Sequence, residues 1–219
     1  MKRFILIAIF ALVFISTSAQ AADKGMYVSG NVGLSLVPDL DINVVGFPTF
    51  ATVGLDLGFK VGGALGYDYG NFRAEGEISY FLNDTDEGTS VFLPVSSPAD
   101  GDVSVSSFMI NGYYDFHSEN SPLVPYVGVG LGIANIDADI TQPSVSPLAL
   151  VDDNATVFAY QFMAGLGYNI SPTTILTADY RYFRTTTPEF SCGPALTCAD
   201  DLEIDYSNHS FNLGARFMF

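Results

Sequence analysis

The residues able to carry chemistry are few. The chain has two histidines, His117 and His209, and two cysteines, Cys192 and Cys198. Ser207 and His209 are two positions apart, so on an extended strand they share a face, the least that a nucleophile and its base require. Neither histidine has neighbours at the spacing of a triad or a metal-ligand set. The glycines at 128, 130 and 132 could be mistaken for a phosphate-binding loop, but no helix follows whose N-terminus would hold the anion, so they read as small strand residues. No enzymatic activity, metal or cofactor is expected from these residues.

Carboxylates are the abundant functional group, 24 against eight lysines and arginines. Most fall in four groups: Asp39 and Asp41; Asp84, Asp86, Glu87, Asp100 and Asp102; Asp137, Asp139, Asp152 and Asp153; Glu189, Asp200, Asp201 and Glu203. Such groups can hold hard divalent cations through several oxygens, or dock to a basic host surface. No ordered calcium-loop spacing appears, and a solvated, self-repelling surface is the simpler reading. Nucleic acid is an improbable partner for so acidic a chain.

The elements that must position these residues show a period of two. From Val53 to Asp68, Val, Leu, Phe and Tyr at odd positions alternate with Gly, Asp, Lys and Ala at even ones. Seven further segments repeat the pattern: Tyr27–Leu36, Asn71–Leu82, Val103–Phe116, Tyr126–Ile136, Val157–Ile170, Thr174–Arg184 and Ile204–Phe219. Strands this long exceed the usual ~5–6 residues of soluble sheets and suit a tilted bilayer crossing. Connections after the second, fourth and sixth segments are brief, and those after the first, third, fifth and seventh run to roughly fifteen to twenty residues. Short periplasmic turns, longer extracellular loops and an even strand number are the habit of outer-membrane barrels. In lipid every backbone N–H and C=O must find a strand neighbour, so the sheet must close.

The expected fold is therefore all-β: an eight-stranded antiparallel up-and-down transmembrane β-barrel. Eight strands enclose a lumen that side chains can fill. Alternation sends Asp56, Lys60, Arg73, Glu75, Glu77, Asp115, Asp179, Arg181 and Arg216 into it, where a charge network should close the lumen. Glycines at 54, 58, 62, 66, 165, 167 and 214 would relieve crowding there. Tyr67, Tyr69, Phe72, Tyr113, Tyr114, Phe116, Tyr126, Tyr168, Phe217 and Phe219 bunch at the short-turn end as an expected interfacial girdle.

The first residues carry an address. Lys2 and Arg3 precede an apolar stretch from Phe4 to Ile15, and Ala19-Gln-Ala21 suits a signal peptidase, so residues 1–21 read as a signal peptide and 22–219 as one barrel domain. The mature part would keep six basic against 24 acidic residues, a formal charge of −18. Export to an oxidising compartment makes a local disulfide between Cys192 and Cys198 the expected state.

Gly58-Phe-Lys-Val-Gly-Gly-Ala-Leu-Gly-Tyr-Asp-Tyr-Gly-Asn-Phe-Arg-Ala-Glu-Gly-Glu-Ile-Ser-Tyr80 resembles the central hairpin of the opacity-protein and OmpA-like small outer-membrane barrel family. Asn111-Gly-Tyr-Tyr-Asp-Phe116 and Pro125-Tyr-Val-Gly-Val-Gly-Leu-Gly-Ile-Ala134 look like the next hairpin. The end, Ser210-Phe-Asn-Leu-Gly-Ala-Arg-Phe-Met-Phe219, is similar to the terminal strand by which the barrel-assembly machinery recognises such proteins, with Phe211, Leu213, Phe217 and Phe219 on one face. The resemblance implies the bacterial outer membrane, with lipid and lipopolysaccharide around the barrel, loops extracellular and termini periplasmic. Because the family includes adhesins and surface antigens, it implies a non-enzymatic anchor that presents its loops, with a host surface ligand or divalent cations as candidate loop partners. A narrow porin-like diffusion channel is the alternative. A lipid-modifying barrel enzyme is the third, since Ser207 and His209 loosely resemble the pair of lipid A deacylase barrels, although that family has the order H-x-S and this chain reads S-x-H.

Overall fold

An alternating segment folds as a strand because successive side chains leave the pleat on opposite faces, so one segment serves two solvents at once. In the computed structural model of the chain, thirteen strands join in one antiparallel sheet. They are β1 (Gly25–Leu36), β2 (Leu40–Val44), β3 (Phe47–Leu55), β4 (Gly58–Asp68), β5 (Phe72–Ser90), β6 (Leu93–Pro98) and β7 (Asp100–Asp115). There follow β8 (Leu123–Thr141), β9 (Ala149–Ser171), β10 (Thr174–Thr185), β11 (Glu189–Phe190), β12 (Leu202–Ile204) and β13 (Ser207–Met218). The structure describes residues 24–38, 40–44, 47–55, 57–90, 93–98, 100–118, 121–141, 149–186, 189–190, 202–204 and 206–219. Side chains are described over 24–38, 57–83, 103–118, 121–137, 155–186 and 206–219.

Eight strands close a barrel in the order β1, β4, β5, β7, β8, β9, β10, β13 and back to β1, each antiparallel to the next. Closure is made by β1 against β13, from Tyr27 opposite Met218 to Leu36 opposite His209. Chain neighbours are wall neighbours throughout, which is the up-and-down arrangement.

The turns at one end are tight. Between β4 and β5, Gly70 stands in the left-handed region at φ 104° and donates its N–H to Asp68 Oδ1 at 2.8 Å. Only glycine adopts that conformation without strain, and the aspartate takes up a donor the turn would otherwise leave free. Between β9 and β10, Ser171 Oγ accepts from Thr173 N at 3.3 Å.

At the opposite end strands run on past the expected limits, β5 to Ser90 and β8 to Thr141. There β3 pairs with the far part of β5 and with β2, and β12 pairs with β2. The segment 53–68 is not one strand, because β3 ends at Leu55, β4 begins at Gly58, and the pairing with β5 shifts register between Gly54 and Leu55. An irregularity of this kind bends a strand away from the straight course that a simple alternation implies.

The distribution of polarity is the reverse of a water-soluble domain. Lys60 and Glu77 are 0% and 1% exposed, while Ile110 and Leu213 are 65% and 67% exposed. Burying charge and exposing large apolar side chains on every wall strand is stable only where the outer face meets lipid.

Candidate functional site

The lumen is built by the inward face of each wall strand. On β5, Arg73, Glu75, Glu77 and Ser79 follow one another at every second position, all buried. Glu77 is the hub. It accepts from Arg181 Nη1 with both oxygens, at 2.6 and 2.7 Å, lies 3.5 Å from Lys60 Nζ, and accepts from Ser79 Oγ at 2.8 Å and Asn111 Nδ2 at 2.7 Å. Arg181 turns its Nε to Asp179 Oδ1 at 2.7 Å, and Asp179 also accepts from Tyr126 Oη at 3.0 Å and Asn212 Nδ2 at 2.9 Å.

A second group lies nearer the tight turns. Arg73 donates from Nε and Nη2 to the two oxygens of Asp115, at 2.6 and 3.0 Å, the forked geometry that makes arginine–carboxylate pairs strong. Its guanidinium lies 4.3 Å from the Tyr113 ring centre and 5.0 Å from that of Tyr126. Arg216 Nη1 stands 3.7 Å from Asp68 and 3.8 Å from Asp115. Glu75 accepts from Tyr27 Oη at 2.7 Å and Tyr113 Oη at 2.8 Å.

Eight of the nine residues expected in the lumen network thus come together, and Asp56 lies outside the described residues. Sequence reasoning left out Asp68, Tyr27, Asn111 and Gln161, though the parity of their positions would have found each. It also misplaced two aromatics. Tyr113 and Tyr126, expected in the outer girdle, are both 5% exposed and face the lumen. In the pair Tyr113-Tyr114 only one ring can point outward, and the pleat gives that place to Tyr114. Tyr67, Tyr69, Phe72, Phe116, Tyr168, Phe217 and Phe219 do face outward at the turn end.

Toward the loop end the lumen is mainly apolar, beside a buried polar group of Ser35, Asn83 and Asn208 joined by hydrogen bonds. Phe81, Val103, Val105, Met109, Ile136, Phe183 and Tyr206 form one buried cluster, with Phe81 and Phe183 ring centres 5.3 Å apart. The signal for this plug was the lapse of alternation at Tyr80-Phe81-Leu82, where an apolar residue occupies an inward position.

Phe211, Leu213 and Phe217 lie on the outward face of β13, and Phe219, just past its end, is likewise exposed and donates its N–H to Met26 O at 3.0 Å. His209 is also outward, with Tyr180 Oη 2.6 Å from its Nδ1. Tyr180 is thus the described hydrogen-bond partner of that imidazole. Among the described residues no three His, Cys, Asp or Glu side chains are placed to hold a metal ion. Cys192, Cys198 and most of the loop carboxylates lie outside the described side chains.

A closed eight-strand barrel with a filled, charge-paired lumen and an apolar outer wall is the architecture of a small outer-membrane barrel. The chain belongs to the outer membrane protein β-barrel domain family, whose model matches residues 5–219. It is similar to outer membrane protein PagN of Salmonella typhimurium, 27% identical over a 244-residue alignment that spans all of both chains. Major surface antigen 4 of Anaplasma marginale is 25% identical over 182 residues, 72% of this chain and 60% of that one. Among solved structures, Neisserial surface protein A matches with a TM-score of 0.54 and 18% identity, over 89% of this chain and 97% of its own. The outer membrane protease OmpT of Escherichia coli matches with a TM-score of 0.55 and 10% identity, over 94% of this chain and 99% of its own. At those identities the two structures speak for the fold alone.

Proposed function

We propose that the protein is a non-enzymatic outer-membrane anchor of the surface-antigen type, which holds its four long acidic loops outside the cell and both termini in the periplasm. The observation that carries this reading is the lumen. Among the described residues, paired charges occupy its middle and an apolar cluster occupies its loop end, which leaves little room for solutes to pass. Function then falls to the loops. Kinship with a protein named as a major surface antigen supports the same assignment. On this reading residues 1–21 are removed on export, the barrel-assembly machinery inserts the rest, and the acidic loops meet a basic host surface or divalent cations.

The test is binding of intact cells, with and without this protein, to a panel of basic host matrix proteins, in the presence and absence of calcium. Protein-dependent binding that salt weakens is expected. Equal binding by both strains, with protease unable to reach a tag placed at residues 145–147, would overturn surface presentation.

A further inference from the structure

Arg216 is held differently from the other arginines of the lumen. Arg73 and Arg181 each donate straight to a carboxylate, at 2.6 Å. Arg216 is 4% exposed, yet its Nε and Nη1 have no hydrogen-bond partner among the protein's atoms, and Nη1 stands off at 3.7 Å from Asp68 and 3.8 Å from Asp115. Buried donors of a charged group carry their full desolvation cost when their bonds are unmade, and a polar gap beyond about 3.5 Å is where a water stands between two groups.

An unmatched acceptor lies on the neighbouring strand. Arg216 is opposite Ser29 where β13 closes on β1, and Asn31 follows Ser29 on the same inward face. Asn31 is 8% exposed, and its Oδ1 likewise has no partner. Both side chains line one cavity of about 20 Å³, with Ser29 and Thr177 beside them. A water molecule needs roughly 10–15 Å³ and about two to four polar partners, so the cavity has room for one.

The cavity also borders both charge groups, since Arg73 and Glu75 face it from one and Asp179 and Arg181 from the other. Those neighbours decide the chemistry of the occupant. A halide only accepts, so it would leave Asn31 Oδ1 unpaired and meet Glu75 and Asp179 as like charges. A metal cation would stand among three guanidiniums. Water both accepts and donates, and it carries no charge.

We infer that one ordered water occupies this cavity, accepting from Arg216 Nε and donating to Asn31 Oδ1, and that it clips the closing strands β1 and β13 together on the lumen side of their seam. Its second hydrogen falls to one of the bordering carboxylates, Glu75 or Asp179, so the same molecule joins the two charge groups.

The experiment is solution NMR of the isotope-labelled, folded barrel in detergent micelles, reading water-selective NOE and ROE transfer to the Arg216 Nε–H and to the side-chain amide of Asn31. A water held longer than surface water gives the two transfers opposite signs. The wild type should show this at both groups and not at Asn111, whose amide is engaged by Glu75, Glu77 and Gln161. Ser29→Ala with Thr177→Val, which removes hydroxyls able to relay the signal by exchange, should leave both signals in place. Asn31→Leu, which fills the cavity, should abolish the signal at Arg216, and heat-dependent gel mobility verifies that each variant is folded. Absence of the wild-type signals, or their loss in Ser29→Ala with Thr177→Val, would overturn the site, and the wild-type spectrum decides this even where Asn31→Leu does not fold. An Arg216 resonance that moves when bromide replaces chloride would overturn the water in favour of a bound anion.

Discussion

Arg181 and Glu77 meet across the full width of the barrel: Nη1 of the arginine donates to both carboxylate oxygens, at 2.6 and 2.7 Å, from a strand four places away in either direction around the wall. Within the barrel wall, backbone pairing ties each strand only to its two wall neighbours. This contact ties opposite walls, so the cross-section of the lumen is fixed by side chains as well as by strand number.

Loss of charge at Glu77 should therefore be costly. Glu77→Gln leaves Lys60 and Arg181 buried beside each other with Asp179 as their remaining carboxylate, and removing one partner of a buried pair costs roughly 3–5 kcal/mol. Glu75→Gln should cost much less, because the partners of Glu75 are neutral hydroxyls and an amide, which a glutamine can also engage. Arg181→Glu, which adds a third carboxylate beside Glu77 and Asp179, should be at least as damaging as Glu77→Gln. The check is the temperature at which the compact gel form converts to the unfolded one. Equal shifts for Glu75→Gln and Glu77→Gln would show that Glu77 is not the hub of the network.

The two plugs make the lumen doubly closed. Phe81→Ala with Phe183→Ala should destabilise the barrel strongly, since each large-to-small change in a packed core costs about 3–5 kcal/mol. Conductance in a planar bilayer should nevertheless stay at baseline, because the charged layer below is intact. Large, steady single-channel currents from the unmutated protein would reverse the assignment in favour of a diffusion channel.

What was legible in the sequence followed from the period of two, which states both that a segment is a strand and which of its residues face the lumen. That is why Lys60, Arg73, Glu77 and Arg181 could be assigned together from positions scattered over more than a hundred residues. Partner choice was not legible. Arg181 could have faced Glu75 as well as Glu77 on parity alone, because the stagger between opposite strands depends on tilt, which no single strand records. Tyr113 and Tyr126 were misread for a related reason: aromatic type argued for the interface, but position in the pleat outweighed it. The division between β3 and β4 was invisible because alternation runs unbroken from Val53 to Asp68 while the pairing of β3 with β5 shifts register between Gly54 and Leu55.

The last strand should matter more for assembly than for the finished barrel. Phe219 is about half exposed, and its described bond is a backbone one, to Met26 O at 3.0 Å. Phe219→Ser keeps that amide, so barrel that does form should unfold within a few degrees of the wild type. Its amount in the outer membrane should fall several-fold if the outward face of Phe211, Leu213, Phe217 and Phe219 is what the assembly machinery reads. Wild-type surface levels of Phe219→Ser, measured by labelling of intact cells, would remove this residue from the recognition signal.

Cys192 and Cys198 should be joined in the exported protein, with no thiol titrated after unfolding without reductant and two after reduction. A ring this short restrains few unfolded conformations, and the chain-entropy account allows about 2–3 kcal/mol at most. Even that should be muted in the barrel. The connection that holds both cysteines leaves β10 and enters β13 where Arg184 already faces Ser207 across the ladder, so its ends are fixed without the bridge. Cys192→Ser with Cys198→Ser is therefore expected to leave the unfolding temperature within a few degrees of wild type, while protease cleavage of the intervening loop on intact cells accelerates. A fall in unfolding temperature as large as that of Glu77→Gln would mean that the bridge braces the wall itself, and that the loop's ends are not held by the β10 and β13 pairing alone.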